Sequence, residues 1–235
     1  MTDELFREDA YLKSCEARVV SVDEAGVRLD RTVFYPEGGG QPGDTGMLRL
    51  ADGRELKVAD TRKHPATGEP SHILEPGAAA PRVGETVTAI LDWERRHRHM
   101  RMHTCLHLLC SLVTGSVTGG ALGEAKGRLD FDLPNTAVDK EKLTADLNRL
   151  VAEDHPVRSR WITDDELAAN PGLVRTMSVK PPTGSGKVRL LEIDGVDLQP
   201  CGGTHVARTG EIGQVAVGKI ENKGRQNRRI NIAFV

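Results

Sequence analysis

Apolar and polar residues alternate in short runs through the first third of the chain. Ala17 to Val22, Val27 to Leu29, Thr32 to Tyr35, Met47 to Leu50, Glu55 to Asp60, His72 to Leu74 and Thr86 to Leu91 each read as a strand. Asp23-Glu-Ala-Gly26 and Asp52-Gly53 mark hairpin turns, and Glu75-Pro-Gly-Ala-Ala-Ala-Pro81 a longer loop. Between Pro36 and Gly46, five glycines and two prolines in eleven residues exclude regular structure. Many short strands without a helix predict a small β-barrel-like domain over residues 1–92.

The pattern changes at Asp92. From Trp93 to Val113 there is no Gly or Pro, and Met102, Cys105, Leu106, Leu109, Leu112 and Val113 recur at helical spacing as one apolar stripe. Asp92 is placed to cap this helix, and Gly115 lies just past its end. Ser116 to Thr118 and Lys126 to Leu133 predict strands around a flexible turn, Gly119-Gly120-Ala-Leu-Gly123. A second helix follows over Val138 to Asp154, with Leu143, Leu147, Leu150 and Val151 on one side. Val157 to Ile162 reads as a strand, and Thr163-Asp-Asp-Glu166 is a capping box for a short helix stopped by Asn170-Pro-Gly172. Pro181 to Gly186 is a loop, and Val188 to Ile193, Val196 to Leu198, Ile212 to Ile220 and Arg229 to Val235 are strands. Residues 93–235 therefore predict an α/β two-layer domain with a mostly antiparallel sheet, and the chain as a whole is α+β.

The 235 residues carry 32 Lys and Arg against 34 Asp and Glu, so any contact with nucleic acid must use local patches. Aromatic residues make up 3%, too few for a protein that grips single strands mainly by stacking. Four irregularly spaced cysteines and an acidic N-terminus without an apolar leader point to free thiols in a reducing compartment, expected to be the cytoplasm. No run approaches the ~18 apolar residues of a membrane span.

Two short stretches carry the chemistry. His103 and His107 are four apart, so they share a helix face. Cys201-Gly202-Gly203-Thr204-His205 places the smallest residues between two further ligand types, which lets the backbone bend tightly and lie close to a metal or a substrate. Three histidines and a cysteine make a ligand set that suits Zn²⁺ far better than Mg²⁺ or Ca²⁺. His205 either completes a tetrahedron or leaves a position open. Thr104 stands where a zinc protease helix carries its general-base Glu, which argues against that chemistry. A cysteine hydrolase using Cys201 and His205 would leave His103 and His107 without a role. A purely structural zinc is the plainer alternative, disfavoured by the flanking glycines and the long gap between the two halves. Cys15, Cys105 and Cys110 read as structural. Two basic clusters adjoin these motifs: Arg95, Arg96, Arg98 and Arg101, with His97 and His99 among them, and Lys219, Lys223, Arg225, Arg228 and Arg229. They suggest a phosphate-binding rim.

Four segments carry a family resemblance: Phe34-Tyr-Pro-Glu-Gly-Gly-Gly-Gln-Pro-Gly-Asp-Thr-Gly46, Met102-His-Thr-Cys-Leu-His-Leu-Leu109, Gly127-Arg-Leu-Asp-Phe-Asp132 and Cys201-Gly-Gly-Thr-His-Val-Ala-Arg-Thr-Gly-Glu-Ile-Gly213. In this order they resemble the editing domain of alanyl-tRNA synthetases, and more closely the freestanding AlaX-type trans-editing proteins of medium length. The resemblance implies one Zn²⁺ per chain at His103, His107, Cys201 and His205. It also implies hydrolysis of mischarged tRNA(Ala), foremost Ser-tRNA(Ala), with Gly-tRNA(Ala) as a further substrate. The alternatives are a non-catalytic zinc-stabilised RNA-binding module and editing of Ser-tRNA(Thr). Thr118, Gly119, Gly120, Gly202, Gly203 and Thr204 are the expected substrate contacts. Arg95, Arg96, Arg98, Lys223, Arg225, Gly39 and Gly40 are the expected tRNA contacts. No membrane partner is expected, and both a monomer and a homodimer are compatible with the sequence.

Overall fold

A computed structural model describes residues 1–133, 138–174, 186–224 and 226–235. The chain divides into two compact units, Met1–Arg98 and His99–Val235.

The first unit contains β1 (Asp3–Glu4), β2 (Ser14–Asp23), β3 (Gly26–Leu29), β4 (Arg31–Thr32), β5 (Gly46–Leu50), β6 (Glu55–Lys63), β7 (Pro70–Leu74) and β8 (Thr86–Leu91). A closed antiparallel barrel runs β2-β3-β7-β6-β5-β8, as the alternation predicts. Every second residue points inward, so Val19, Val27, Leu29, Leu48, Val58, Val87 and Ala89 fill the interior. Burying each of the larger aliphatic side chains contributes about 1.5–3 kcal/mol. Polar side chains are buried in this unit as well, among them Thr61, Ser71 and His72. His72 is wholly buried, with Nδ1 2.8 Å from the Val27 carbonyl and Nε2 2.9 Å from the Thr32 hydroxyl. Burial drives its pKa down to about 4, against the smaller opposing effects of the Val27 carbonyl and Asp44.

The strand expected over Thr32 to Tyr35 is shorter. Only Arg31–Thr32 forms β4, paired in parallel with β1, which the alternation did not reveal. Beyond it, side chains take the backbone donors: the Phe34 N–H goes to the Thr32 hydroxyl at 3.0 Å and the Tyr35 N–H to Asp44 at 2.6 Å. The Gly-rich segment closes as a tight turn. Gly38 and Gln41 exchange backbone hydrogen bonds of 3.0 Å each, with Gly39 and Gly40 at φ 59° and 85°, the left-handed pair that such a turn requires. At Gly43 a Cβ would lie 2.0 Å from the Thr61 carbonyl oxygen, so only glycine fits there.

Helix α1 (Trp93–Leu112) starts in the first unit and continues into the second. The Asp92 carboxylate caps it, accepting the Arg95 N–H at 3.1 Å. The second unit continues with β9 (Val117–Leu122), β10 (Lys126–Asp132), α2 (Lys140–Ala152), β11 (Val157–Thr163), α3 (Asp164–Ala169), β12 (Lys187–Ile193), β13 (Asp197–Pro200), β14 (Val215–Asn222) and β15 (Asn227–Phe234). Its strands form two antiparallel sheets, β14-β15-β10-β9 and β11-β12-β13. Helix α2 buries the four predicted residues Leu143, Leu147, Leu150 and Val151. Asn148 fastens α2 to β14 by accepting the Val215 N–H and donating to its carbonyl. The capping box at Thr163 is present.

Two expectations for this unit are corrected. Gly119 and Gly120 are strand residues opposite Asp130 and Leu129, not a flexible turn. Gly120 is exposed, and a Cβ there would clash only with the end of the Leu129 side chain, at 2.8 Å. The turn falls instead at Gly123, whose N–H reaches the Lys126 carbonyl at 2.9 Å. The strand expected from Ile212 also starts later: Thr209–Ile212 is a 3-10 turn and β14 begins at Val215, while β15 begins earlier than expected, at Asn227. The loop expected over Pro181 to Gly186 lies, but for Gly186, outside the described residues. No helix among the described residues is long and apolar enough to cross a membrane.

Candidate metal centre

Helix α1 differs from the one-sided stripe that its spacing predicts. From Thr104 to Cys110 every residue is buried, so the helix is a core element of the second unit, packed on all sides. His103 and His107 therefore project from within the core. Their partners arrive on the loop after β13. Two-residue periodicity sends Asp197, Gln199 and, just beyond the strand, Cys201 to one side. Buried Arg189, from β12, donates through Nη1 to the carbonyls of both Cys201 and Gly203 at 3.0 Å. The Cys201 N–H in turn donates to the Arg189 carbonyl. This holds the loop in its bent form.

The ligand atoms of His103, His107, Cys201 and His205 all lie within 4.8 Å of one another. Cys201 Sγ is 3.6 Å from His103 Nε2 and 3.2 Å from His205 Nε2. Ligands at the roughly 2.0–2.3 Å bond lengths of a tetrahedral N/S site stand roughly 3.3–3.6 Å apart, so the set can hold a metal ion. The electrostatics agree with the donor chemistry. Burial by itself would push the Cys201 thiol up, but the neighbouring imidazoles, His103 foremost, outweigh it and hold the thiol well below its usual range, towards the thiolate that binds metals. Burial and the neighbouring His103 hold His205 well below the ordinary imidazole value, in its neutral, ligating form.

Two residues not anticipated from the sequence complete the surroundings of His107. Its Nδ1 lies 2.9 Å from Asp197 Oδ2, and Gln199 Nε2 lies 2.7 Å from the same oxygen. The single Nδ1 hydrogen goes to the carboxylate, as does a Gln199 amide hydrogen, which leaves His107 Nε2 for the cluster. Burial opposes charge on His107, yet Asp197 and Cys201 together raise its pKa to about 10 in the metal-free protein. The residues that sequence reasoning missed are thus Asp197, Gln199 and Arg189. The available signals were the i, i+2 run of polar residues leading to Cys201 and an arginine set among the apolar residues Val188, Leu190 and Leu191.

The other expected contacts disperse. Thr204 and Gly203 are buried, and Gly202 is exposed. Thr118 sits in β9 with its hydroxyl 2.7 Å from Asn227 Oδ1 and 3.1 Å from the Asp130 carbonyl. Arg96 has no exposed surface. Its guanidinium pairs with Asp44 and donates to the carbonyls of Val33 at 2.7 Å and Ala10 at 3.1 Å. It offers nothing to RNA, because its donors are already matched by buried acceptors. Arg95 is half-buried and donates to the Gly43 carbonyl, whereas Arg98 is exposed. Lys223 lies 3.2 Å from Glu221, Arg229 is paired with Asp130, and Arg225 falls outside the described residues. Gly39 and Gly40 are exposed at the tip of their turn. Cys105, wholly buried, has its thiol pushed up to about 12 by desolvation, consistent with a packing role.

The chain matches two family models: tRNA synthetases class II (A) over residues 8–95, and the threonyl and alanyl tRNA synthetase second additional domain over residues 188–231. It is 40% identical to the alanyl-tRNA editing protein AlaX-M of Methanosarcina mazei, over 100% of this chain and 97% of the relative. Identity to the AlaX-M of Methanosarcina acetivorans is 39%, over 98% of each chain. The alanine–tRNA ligase of Saccharolobus islandicus is 35% identical over 94% of this chain, which spans 25% of the ligase.

Proposed function

The chain belongs to the AlaX family of alanyl-tRNA editing proteins, and from that membership we propose that it deacylates mischarged tRNA(Ala), foremost Ser-tRNA(Ala), with zinc held by His103, His107, Cys201 and His205. The observation that carries this reading is the gathering of three imidazoles and a thiol within 4.8 Å, in a chain that matches freestanding editing proteins end to end.

When bound, the zinc supplies a Lewis acid that orients or polarises water for attack on the aminoacyl ester. The protein's own residues do the rest. Asp197 and Gln199 hold His107 in register, and Arg189 holds the Cys201–Gly203 bend. Exposed Gly202 lets an ester approach without a side chain in the way. Serine differs from alanine by one hydroxyl, so size exclusion cannot protect the smaller, correct product. The pocket must require the hydroxyl, and we assign Thr118, flanked by Gly119 and Gly120, as its partner. Arg95, Arg98 and Lys223, together with Arg225 and the exposed turn at Gly39 and Gly40, are the proposed tRNA contacts. The activity belongs to the cytoplasm, where aminoacyl-tRNA is made.

Incubating the zinc-loaded protein with Ser-tRNA(Ala) and Ala-tRNA(Ala) and following ester loss tests the activity. Rapid loss of the seryl ester alone is expected. A non-catalytic RNA-binding module would bind both and leave both esters intact. Metal analysis of Cys201→Ser tests the site, and zinc retained at the wild-type level would defeat the assignment.

A further inference from the structure

We infer that Thr104 is a positioning residue that sets the tautomer of His205 and thereby makes His205 the fourth ligand of the centre. This deepens the zinc reading above and rests on it.

Thr104 is wholly buried on α1, one residue after His103. Three groups converge on its Oγ1: the Met100 carbonyl at 2.9 Å, the Val206 N–H at 3.2 Å and His205 Nδ1 at 3.3 Å. A hydroxyl has one hydrogen to give and two lone pairs to receive. The Met100 carbonyl can only accept and makes the shortest of the three contacts, so it takes the hydrogen. The Val206 N–H can only donate, and it fills one lone pair. One lone pair remains, facing His205 Nδ1, so the ring hydrogen of His205 resides on Nδ1. In a neutral imidazole this puts the free lone pair on Nε2, the atom that faces Cys201 Sγ at 3.2 Å. The opposite tautomer would aim an N–H into the cluster. It would also need the Thr104 hydrogen to leave its 2.9 Å partner for one at 3.3 Å.

This accounts for the residue that takes the place of a protease's general-base glutamate. Thr104 has no proton chemistry to perform. Its hydroxyl links the ligand helix to the ligand loop, across 101 residues of sequence.

The test combines ring-nitrogen NMR with zinc titration against a competing chelator. In zinc-free wild-type protein, the His205 resonances are expected to show hydrogen on Nδ1. Thr104→Val keeps the shape but removes the hydroxyl, and is expected to bind Zn²⁺ about 10–100-fold more weakly, while Thr104→Ser restores most of the affinity. Hydrogen found on Nε2 of His205 in the wild type overturns the inference, and this measurement decides it even if Thr104→Val does not fold. Wild-type zinc affinity in a folded Thr104→Val also overturns it, while leaving the metal centre itself intact. Failure of the wild-type protein to bind zinc at all would remove the metal reading and this inference together.

Discussion

His107 Nδ1 lies 2.9 Å from a carboxylate oxygen of Asp197, ninety residues further along the chain, and both side chains are buried. The pair turns one face of the ring to the protein and the other to the cluster. Replacing Asp197 with Ala frees the ring and strips Gln199 of its acceptor. Zinc affinity is expected to fall about 10–100-fold, read by chelator competition on protein whose circular dichroism is unchanged. An affinity equal to wild type would show that His107 needs no such support.

Arg96 and Arg98 are two residues apart and are expected to behave oppositely. Breaking the buried Arg96–Asp44 pair by Arg96→Met leaves a carboxylate uncompensated and is expected to cost about 3–5 kcal/mol in urea unfolding. Arg98→Ala should change stability by no more than about 0.5 kcal/mol. It should lower the salt dependence of tRNA binding by about one phosphate contact, a slope change of roughly 0.7–0.9. Lys223→Ala is expected to do the same. A salt slope unmoved by either exposed substitution counts against the proposed RNA rim.

The Thr118 hydroxyl, 2.7 Å from Asn227 Oδ1, gives its hydrogen to that amide oxygen, and under the proposed assignment a remaining lone pair would receive the substrate hydroxyl. Thr118→Val should therefore lower the preference for seryl over alanyl ester by about tenfold or more, the equivalent of one hydrogen bond. Undiminished preference, measured by parallel deacylation assays, would place the selectivity elsewhere.

The glycine turn separates folding from binding. Gly39 is at φ 59°, and no atom lies within 4 Å of the point where a Cβ would stand, so Gly39→Ala meets only backbone strain, about 1–2 kcal/mol. Loss of tRNA affinity in the folded variant is the expected result. Lowered melting with unchanged affinity would reduce the turn to a structural role.

His72 makes stability depend on pH. Its folded pKa of about 4 lies below the ordinary 6.5 because the charged ring would be buried. The unfolded chain therefore binds the extra proton first as pH falls. The contribution is complete above pH 6.5 and is lost progressively down to about pH 4, by about 3 kcal/mol in all. Ring NMR should show His72 still neutral at pH 5, and a normal titration near 6.5 would refute this.

Much of the architecture is written locally. Alternation over two residues specifies the barrel strands, and helical spacing pairs His103 with His107, because strand and helix geometry act over a few residues. Cys201 and His205 are paired by the short glycine-containing loop between them. Those four residues, two from each pair, are the ones whose ligand atoms the fold gathers within 4.8 Å. Nothing local distinguishes Arg96 from Arg98, however. Burial separates them, and it depends on Asp44, 52 positions away. Gly119 and Gly120 carry the composition of a turn, yet pairing with β10 makes them strand. Asp197, Arg189 and Thr104 likewise look like ordinary polar residues until β12, β13 and α1 meet. Their roles are defined by hydrogen bonds spanning 12 to 101 residues, and contacts of that range leave no periodic trace in the chain that makes them.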